Sequence, residues 1–217
     1  MLRTAGYLGL ASLFMVWPAM LLFAALRPEY SHSVNAVSEL GALGTPNALA
    51  WNVIGFIIPG FLLAIAGAGI AASVTGKGWR SAAVWLLILS GLGFAGTGFS
   101  PAEVENGVAV VTSPSTQGHF IASLIHGIAW LIAALLLVRP MLRNPNWRGY
   151  VWVNVAFVFA TLIAVFALRG VVSDAIVQRI AGATYFAWIA ILSWRLIQVE
   201  AARPAANVPR AVTVINS

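Results

Sequence analysis

The sequence predicts an all-α fold, an integral membrane bundle of six transmembrane helices with both the N- and C-termini in the cytoplasm. Only 8% of the 217 residues are charged and 60% are hydrophobic, whereas a soluble domain carries roughly 25% charged residues. Six apolar stretches reach the roughly 20 residues that a helix needs to span a bilayer. The composition does not change between them, so we expect a single membrane domain over residues 1–199.

The limits of the six spans follow from where charge, proline or glycine interrupts the apolar runs. The first run is longer than the apolar segment of a signal peptide, which has about 7–15 residues, so we expect an uncleaved helix. The second holds Asn52 and the Pro59-Gly60 pair, which neighbouring helices must satisfy in lipid. The expected spans are residues 7–26, 48–74, 81–99, 119–138, 150–168 and 176–199, followed by a flexible cytoplasmic tail over 200–217.

Four glycines recur in the second half of the third span, at Gly91, Gly93, Gly96 and Gly98. Small residues let the backbones of neighbouring helices approach closely in lipid, where the hydrophobic effect contributes little to helix association. Two interpretations of this stripe remain open. It serves tight helix packing, or it forms a thin wall beside a cavity.

The basic residues predict the orientation of the bundle. Nine of the twelve lysines and arginines fall on the side that holds both termini, whereas Arg27, Arg169 and Arg179 fall on the other. Cytoplasmic loops carry the excess of positive charge, so both termini are expected in the cytoplasm. This distribution explains the net charge of +6 as a topology signal, and no nucleic-acid partner is expected.

Two residue types exclude whole classes of chemistry. Cysteine is absent from the chain, so disulfides, thiolate nucleophiles and cysteine metal sites are excluded. No lysine lies inside an expected span, which excludes a retinal Schiff base of the rhodopsin kind. We expect no cofactor.

Two of the three histidines predict a polar pocket in the outer leaflet. His119 and His126 are seven residues apart, which places them on nearly the same helix face, about 10 Å apart along the axis. Ser123 lies between them on that face. An ionisable group below the membrane surface usually faces the bundle interior or a watery cavity, so we expect His126 to line such a space.

Polar side chains from other segments are expected to complete this pocket. Gln178 and Arg179 lie about one turn into the sixth span, where a buried arginine needs a counter-charge. The candidates for that charge are Glu39, Glu103, Glu105 and, less well aligned, Asp174. The predicted ligand-binding residues are His126, Arg179, Glu39, Glu103, His119, Ser123 and Gln178.

Three functions are compatible with such a pocket, and the sequence does not decide whether the protein is an enzyme. In the first, the pocket binds a membrane lipid or a small amphiphile, with Arg179 holding a phosphate or carboxylate. In the second, histidine and carboxylate hold a zinc ion that hydrolyses a lipid ester or amide. Two histidines about 10 Å apart on one helix do not share an ion, so no metal site is expected. In the third, the polar groups are structural, with buried pairs that tie loops to helices, and the protein is a structural or assembly partner in a membrane complex.

Three segments of the chain together resemble a known family. They read RPEYSHSVNAVSELGALGTPNALAWNVIGFIIPG, then GFSPAE leading to GHFIASLIHG, then VQRIAGATYFAWI. The pattern is similar to a prokaryotic six-helix membrane family catalogued as a domain of unknown function, number nine-nine-eight. The matching positions are Ser38-Glu39-Leu40-Gly41, Phe99-Ser100-Pro101-Ala102-Glu103 with an inserted serine, His126 and Gln178-Arg179. This resemblance over most of residues 5–198 implies a six-helix bundle without an established activity. We expect the bundle to lie in a bacterial plasma membrane.

Overall fold

Six long helices make up the fold, as seen in a computed structural model that describes residues 1–105 and 108–203. All six are long and apolar enough to cross a membrane, which confirms the expected class. They are α1 (Leu2–Ala25), α2 (Ala48–Thr75), α3 (Ala82–Phe99), α4 (Pro114–Arg143), α5 (Arg148–Ala167) and α6 (Asp174–Ala201). Of the tail expected over 200–217, the first two residues belong to α6, and residues 204–217 lie outside the described residues.

Short elements connect the helices. A 3-10 turn covers Val37–Gly41 in the first loop, and another covers Gly78–Arg80 between α2 and α3. A small antiparallel hairpin of β1 (Val104–Glu105) and β2 (Val108–Ala109) lies between α3 and α4. We call the end of the bundle that holds residues 26–47, 100–105, 108–113 and 168–173 the distal end.

Helices adjacent in sequence are neighbours in space, and the ring closes because α1 packs against both α2 and α6. The helix α2 is the most enclosed of the six, with 56% of its most apolar window buried. Four tryptophans fill the core between the helices, namely Trp51, Trp130, Trp147 and Trp188. The result is a closed bundle with aromatic packing in its interior.

The glycine stripe of α3 serves close packing on both neighbouring helices. A side-chain carbon added at Gly91 would lie 2.6 Å from the Ala64 Cα of α2, and one added at Gly93 would lie 2.7 Å from the His126 backbone nitrogen of α4. Real side chains do not approach this closely, so only glycine permits these crossings. The tight-packing interpretation is confirmed at these positions.

Helix α4 begins earlier than the sequence predicted, at Pro114 instead of residue 119. Proline suits the first turn of a helix because its fixed φ is helical and its missing N–H would have no partner there. As a consequence, His119 lies more than one turn inside the helix instead of at its start, and His126 lies about 18 Å from the helix start along the axis.

Two of the long helices contain a widened π-helical segment near the distal end. One covers Asn52–Ile57 in α2 and the other Ile163–Ala167 in α5. The segment in α2 ends two residues before Pro59, whose nitrogen has no hydrogen to donate to the preceding turn. Asn52 is buried and donates through Nδ2 to the Gly41 carbonyl at 2.8 Å, so the first loop is tied to this segment.

Candidate functional site

The distal cavity is a space of about 680 Å³ between the distal halves of α4, α5 and α6. Its walls are mostly apolar, and the two side chains Leu124 and Phe166 on its rim are 61% and 75% exposed. Since both belong to spanning helices, the cavity opens to the side of the bundle as well as towards its end. Trp130, Tyr185 and Phe186 are buried and form part of the floor.

His126 lines this cavity and is anchored to α3 by its Nδ1 atom. Nδ1 lies 3.0 Å from the Ser90 carbonyl oxygen and 3.1 Å from the Ser90 hydroxyl. The same hydroxyl donates to the His126 carbonyl at 3.0 Å. The ring meets Tyr185 edge-on at 4.6 Å and Phe94 at 5.2 Å between centroids. The imidazole is therefore fixed on one side by hydrogen bonds and enclosed by aromatic rings.

His119 also lines the cavity and is anchored to α3 in the same way. Its Nδ1 lies 2.9 Å from the Thr97 carbonyl oxygen and 3.1 Å from that of Ser100. The residue is only 5% exposed and packs edge-on against Phe56 and Phe120. Both histidines thus connect the fourth span to carbonyl groups at the distal half of the third.

The sequence-predicted site residues divide between two places. His119, Ser123, His126 and Gln178 line the distal cavity. Arg179, Glu39 and Glu103 do not line it. Instead, Arg179 and Glu39 lie in a second cluster, which we call the loop clasp and which holds residues 27–39 against the start of α6. Gln178 belongs to both places, because its Oε1 accepts from the Val37 backbone nitrogen at 2.8 Å.

Arg179 is the centre of the loop clasp and bonds to neutral acceptors. Its Nη1 donates to the carbonyl oxygens of Asn35 and Ala175, both at 2.9 Å, and its Nη2 lies 2.6 Å from the Tyr30 hydroxyl. Nη2 also lies 3.4 Å from Nδ1 of His32. The guanidinium carbon is 5.8 Å from the centroid of the Tyr30 ring.

The expected ion pair between Arg179 and a loop carboxylate is wrong for the part of the chain that the structure describes. The salt bridges there join Arg27 to Glu29, Arg169 to Asp174 and Arg203 to Glu200. Glu39 is engaged elsewhere: its carboxylate accepts from Asn35 Nδ2 at 2.8 Å and from the Ala36 backbone nitrogen at 2.7 Å. This capping arrangement at the start of the 3-10 turn satisfies backbone donors, so the carboxylate serves the loop's own fold.

Glu103 lies in the loop between α3 and α4, away from both clusters. Its backbone nitrogen donates to the Thr116 hydroxyl at 2.9 Å, and its carbonyl accepts from Val110 at 2.9 Å. Next to it, the Ser115 hydroxyl donates to the Pro101 carbonyl at 2.6 Å. These bonds fasten the loop to the first turn of α4, which is a structural role for the backbone of this segment.

The contacts of the first loop shift the pKa values of two groups outside the spans, Tyr30 and Glu29. Burial raises the pKa of Tyr30 above its usual value, and the positive charge of Arg179 opposes part of that shift. The hydrogen bond from Arg27 lowers the pKa of Glu29. Arg27 also donates to the Glu39 carbonyl at 2.8 Å, so it joins the two ends of the first loop.

Arg169 is a cavity residue that the sequence-based site did not contain, and Asp174, which the sequence offered only as a poorly aligned counter-charge for Arg179, lies opposite it. They line the mouth of the distal cavity and face each other at 3.7 Å, with their side chains 72% and 80% exposed. They flank the short connection between α5 and α6, and that position at the distal end was the only signal that could have identified them. At this exposure the pair contributes little to stability.

Within residues 1–105 and 108–203, no group of three or more histidine or acidic residues is arranged to hold a metal ion. The Nδ1 atoms of His119 and His126 point to carbonyl oxygens of α3, and only their Nε2 atoms remain for other partners. The described residues therefore lend no support to the metal-dependent hydrolase.

Comparison with known protein families gives a match over most of the chain. The family model described as "Protein of unknown function (DUF998)" matches residues 8–195, which cover all six helices apart from the ends of the first and last. No curated protein and no solved structure matches the chain. The resemblance noted in the sequence is thereby confirmed.

Proposed function

The chain belongs to the DUF998 family of proteins of unknown function, and from that premise we propose that its distal cavity binds a membrane lipid or a small amphiphile. The observation that carries the proposal is the make-up of the cavity. Long apolar walls line about 680 Å³, and polar side chains from three helices, His126, Thr161 and Gln178 among them, line the same space. Ligand sites have volumes of roughly 300–1,000 Å³, apolar linings and a few polar groups that orient the ligand.

The side opening favours a ligand that arrives from the membrane. Apolar rim residues such as Leu124 and Phe166 belong to spanning helices and are exposed, so an acyl chain can enter between α4 and α5 without leaving hydrocarbon. The polar groups then meet the other end of the molecule. In the orientation expected from the basic residues, this ligand lies in the outer leaflet of a bacterial plasma membrane.

Photocrosslinking tests the proposal directly. The protein is reconstituted in nanodiscs that contain diazirine-tagged phosphatidylethanolamine, phosphatidylglycerol and monoacylglycerol, irradiated, and digested for mass spectrometry. We expect labelled peptides from the cavity-facing parts of α4, α5 and α6. Labelling spread evenly around the outer surface of the bundle would contradict a specific site.

Two glycines allow the cavity to be filled without a clash. Gly127 of α4 and Gly182 of α6 line it, and an added side-chain carbon at either position meets no atom within 4 Å. We expect Gly127→Leu and Gly182→Leu to reduce cavity labelling severalfold. Gly149→Leu is the matched control, because Gly149 is equally unobstructed and lies outside the cavity. If the cavity instead seats a helix of a partner protein, lipid labelling stays low in the wild type and Gly182→Leu disrupts a complex.

A further inference from the structure

We infer that the ligand of the distal cavity is an uncharged amphiphile whose polar end donates a hydrogen bond, such as a long-chain alcohol or a monoacylglycerol, and that Nε2 of His126 accepts this bond. The inference rests on the proposed function, because it assumes that the cavity binds an amphiphile. It adds the chemical class of the ligand and the atom that recognises it.

The hydrogen bonds around His126 determine which of its nitrogens carries the proton. Nδ1 faces the Ser90 carbonyl oxygen at 3.0 Å, and a carbonyl only accepts. The Ser90 hydroxyl gives its own hydrogen to the His126 carbonyl, so its oxygen is also an acceptor towards Nδ1. Both neighbours therefore require the hydrogen on Nδ1, and the neutral ring presents an acceptor at Nε2.

The same argument applies to His119. Its Nδ1 faces two carbonyl oxygens, those of Thr97 and Ser100. Two independent imidazoles on the cavity wall thus have the same tautomer, each set by the backbone of α3. Because the histidines are seven residues apart on one helix, the two acceptors lie about 10 Å from each other along α4.

The two Nε2 atoms are open to the cavity. Both histidines line it, and neither Nε2 has a protein hydrogen-bond partner among the described residues. Some polar side-chain atoms of the described residues are fully buried and have no hydrogen-bond partner, such as Trp130 Nε1 and Arg179 Nε. Neither histidine Nε2 is among them. Each Nε2 therefore keeps an accessible surface towards the cavity, where a ligand donor can meet it.

The surroundings favour the neutral ring over an imidazolium. His126 contacts Phe94 and Tyr185, and within residues 1–105 and 108–203 no carboxylate bonds to it or to His119. A charge without a counter-ion inside a span is expensive. A neutral acceptor repels a phosphate oxygen and attracts a hydroxyl hydrogen, so His126 selects for a donor.

The cations of this end of the bundle do not provide an alternative anchor for an anionic headgroup deep in the cavity. Arg179, which the sequence suggested as a phosphate ligand, is committed to the loop clasp and does not line the cavity. Arg169 lines the mouth, where Asp174 lies 3.7 Å away. An uncharged polar end that reaches His126 is the ligand that fits this distribution.

A competition experiment in nanodiscs separates the donor from its nearest analogues. A diazirine-tagged fatty alcohol is crosslinked to the cavity in the presence of 1-hexadecanol, its methyl ether or hexadecyl phosphate. The ether has the same chain and the same oxygen acceptor, with a methyl group in place of the donated hydrogen. We expect the alcohol to compete about three- to tenfold better than the ether, the range that one net hydrogen bond provides.

The variant His126→Asn tests the proposed acceptor. The Asn amide nitrogen takes the position of Nδ1 and keeps the bond to the Ser90 carbonyl, while the Nε2 acceptor is removed. We expect the preference for the alcohol to disappear and competition by the ether to stay unchanged. His32→Asn is the control, because His32 is exposed in the first loop and does not line the cavity, so its preference remains that of the wild type.

Each result has a distinct meaning. Equal competition by alcohol and ether in the wild type overturns the donor inference and leaves the amphiphile site intact. Stronger competition by hexadecyl phosphate overturns it in favour of an anion. Probe labelling that Gly182→Leu does not reduce overturns the proposed function itself. If His126→Asn does not fold, the comparison of alcohol with ether in the wild type still decides the class of ligand.

Discussion

The Tyr30 hydroxyl lies 2.6 Å from Nη2 of Arg179, and this contact joins the first loop to the beginning of the sixth span. The same hydroxyl lies 3.0 Å from the Ala36 carbonyl, to which it donates. The phenol therefore accepts a hydrogen bond from the guanidinium and donates one to the backbone of the loop. A cation at the membrane boundary is satisfied here by neutral acceptors and an aromatic ring instead of a carboxylate.

Removing the guanidinium is expected to open the loop clasp. In Arg179→Met, the Tyr30 hydroxyl and the Asn35 carbonyl lose a charged donor, and each such bond contributes about 1.5–3 kcal/mol. We expect a lower midpoint of thermal unfolding in detergent and faster proteolysis of the first loop. Arg169→Met is the control, because that side chain is 72% exposed. Equal stability of the two variants would argue against the clasp.

The ionisation of Tyr30 is expected to occur above the ordinary tyrosine range. Burial raises the pKa of this phenol, so its contribution to stability is complete below pH about 10 and is lost as the pH rises through the higher folded value. Absorbance at 295 nm, titrated for the wild type and for Tyr30→Phe, gives this transition as the difference between the two curves. A difference curve centred at or below the free tyrosine value would disprove the assignment.

The crossing of α2 and α3 is expected to depend on Gly91. In Gly91→Ala the new methyl group would lie 2.6 Å from the Ala64 Cα, so one helix must shift. Overpacking of this kind costs about 1–3 kcal/mol, measurable as a lower unfolding midpoint. Gly127→Ala is the matched control, since its methyl group meets no atom within 4 Å and alanine favours a helix by up to about 1 kcal/mol. A neutral Gly91→Ala would show that the crossing is loose.

Asn154 is expected to connect α4, α5 and α6. It is 1% exposed, donates to the Ala134 carbonyl at 2.7 Å, and accepts from Trp188 Nε1 at 2.9 Å. Asn154→Leu leaves the buried Trp188 indole N–H without a partner, at a cost of about 1–3 kcal/mol, and removes the second of the two bonds that the Ala134 carbonyl accepts, the first being its own helical bond. In a double-mutant cycle with Trp188→Phe, we expect the two losses to be less than additive. Strict additivity would mean that the two side chains do not interact energetically.

The orientation predicted from the basic residues is testable because the chain has no cysteine. Thr112 and Asn146 are exposed at opposite ends of the bundle, so single cysteines there report on opposite sides of the membrane. We expect a membrane-impermeant maleimide to label Thr112→Cys in intact cells and Asn146→Cys only after permeabilisation. The reverse pattern would place the termini outside.

The two histidines of α4 show which part of the site the sequence predicts and which part it does not. The pairing of His119 with His126 on one face of α4 follows from helical periodicity, and both do line one cavity. The partners of those residues do not follow. Ser90 bonds to His126 from a position 36 residues earlier in the chain, and nothing in an isolated α3 distinguishes this serine from a packing residue.

For Arg179, the sequence predicted the wrong kind of partner. Electrostatic reasoning predicted a carboxylate partner from Glu39, Glu103 or Glu105, because a cation in a span requires compensation. The compensation comes from Tyr30 and from backbone carbonyls. Every residue has a carbonyl oxygen, so the sequence does not predict which carbonyl groups of a folded loop will accept hydrogen bonds from a guanidinium.

Composition and the lengths of the apolar runs were sufficient for the six spanning helices, because a bilayer imposes a length and a polarity on each segment independently of its neighbours. The division of the polar residues into a distal cavity and a loop clasp depends on contacts between segments far apart in the chain. Hydrogen-bond direction depends on those contacts as well. Nε2 of His126 is left as a hydrogen-bond acceptor because α3 packs closely enough against α4, through Gly93, to bring the Ser90 carbonyl to Nδ1.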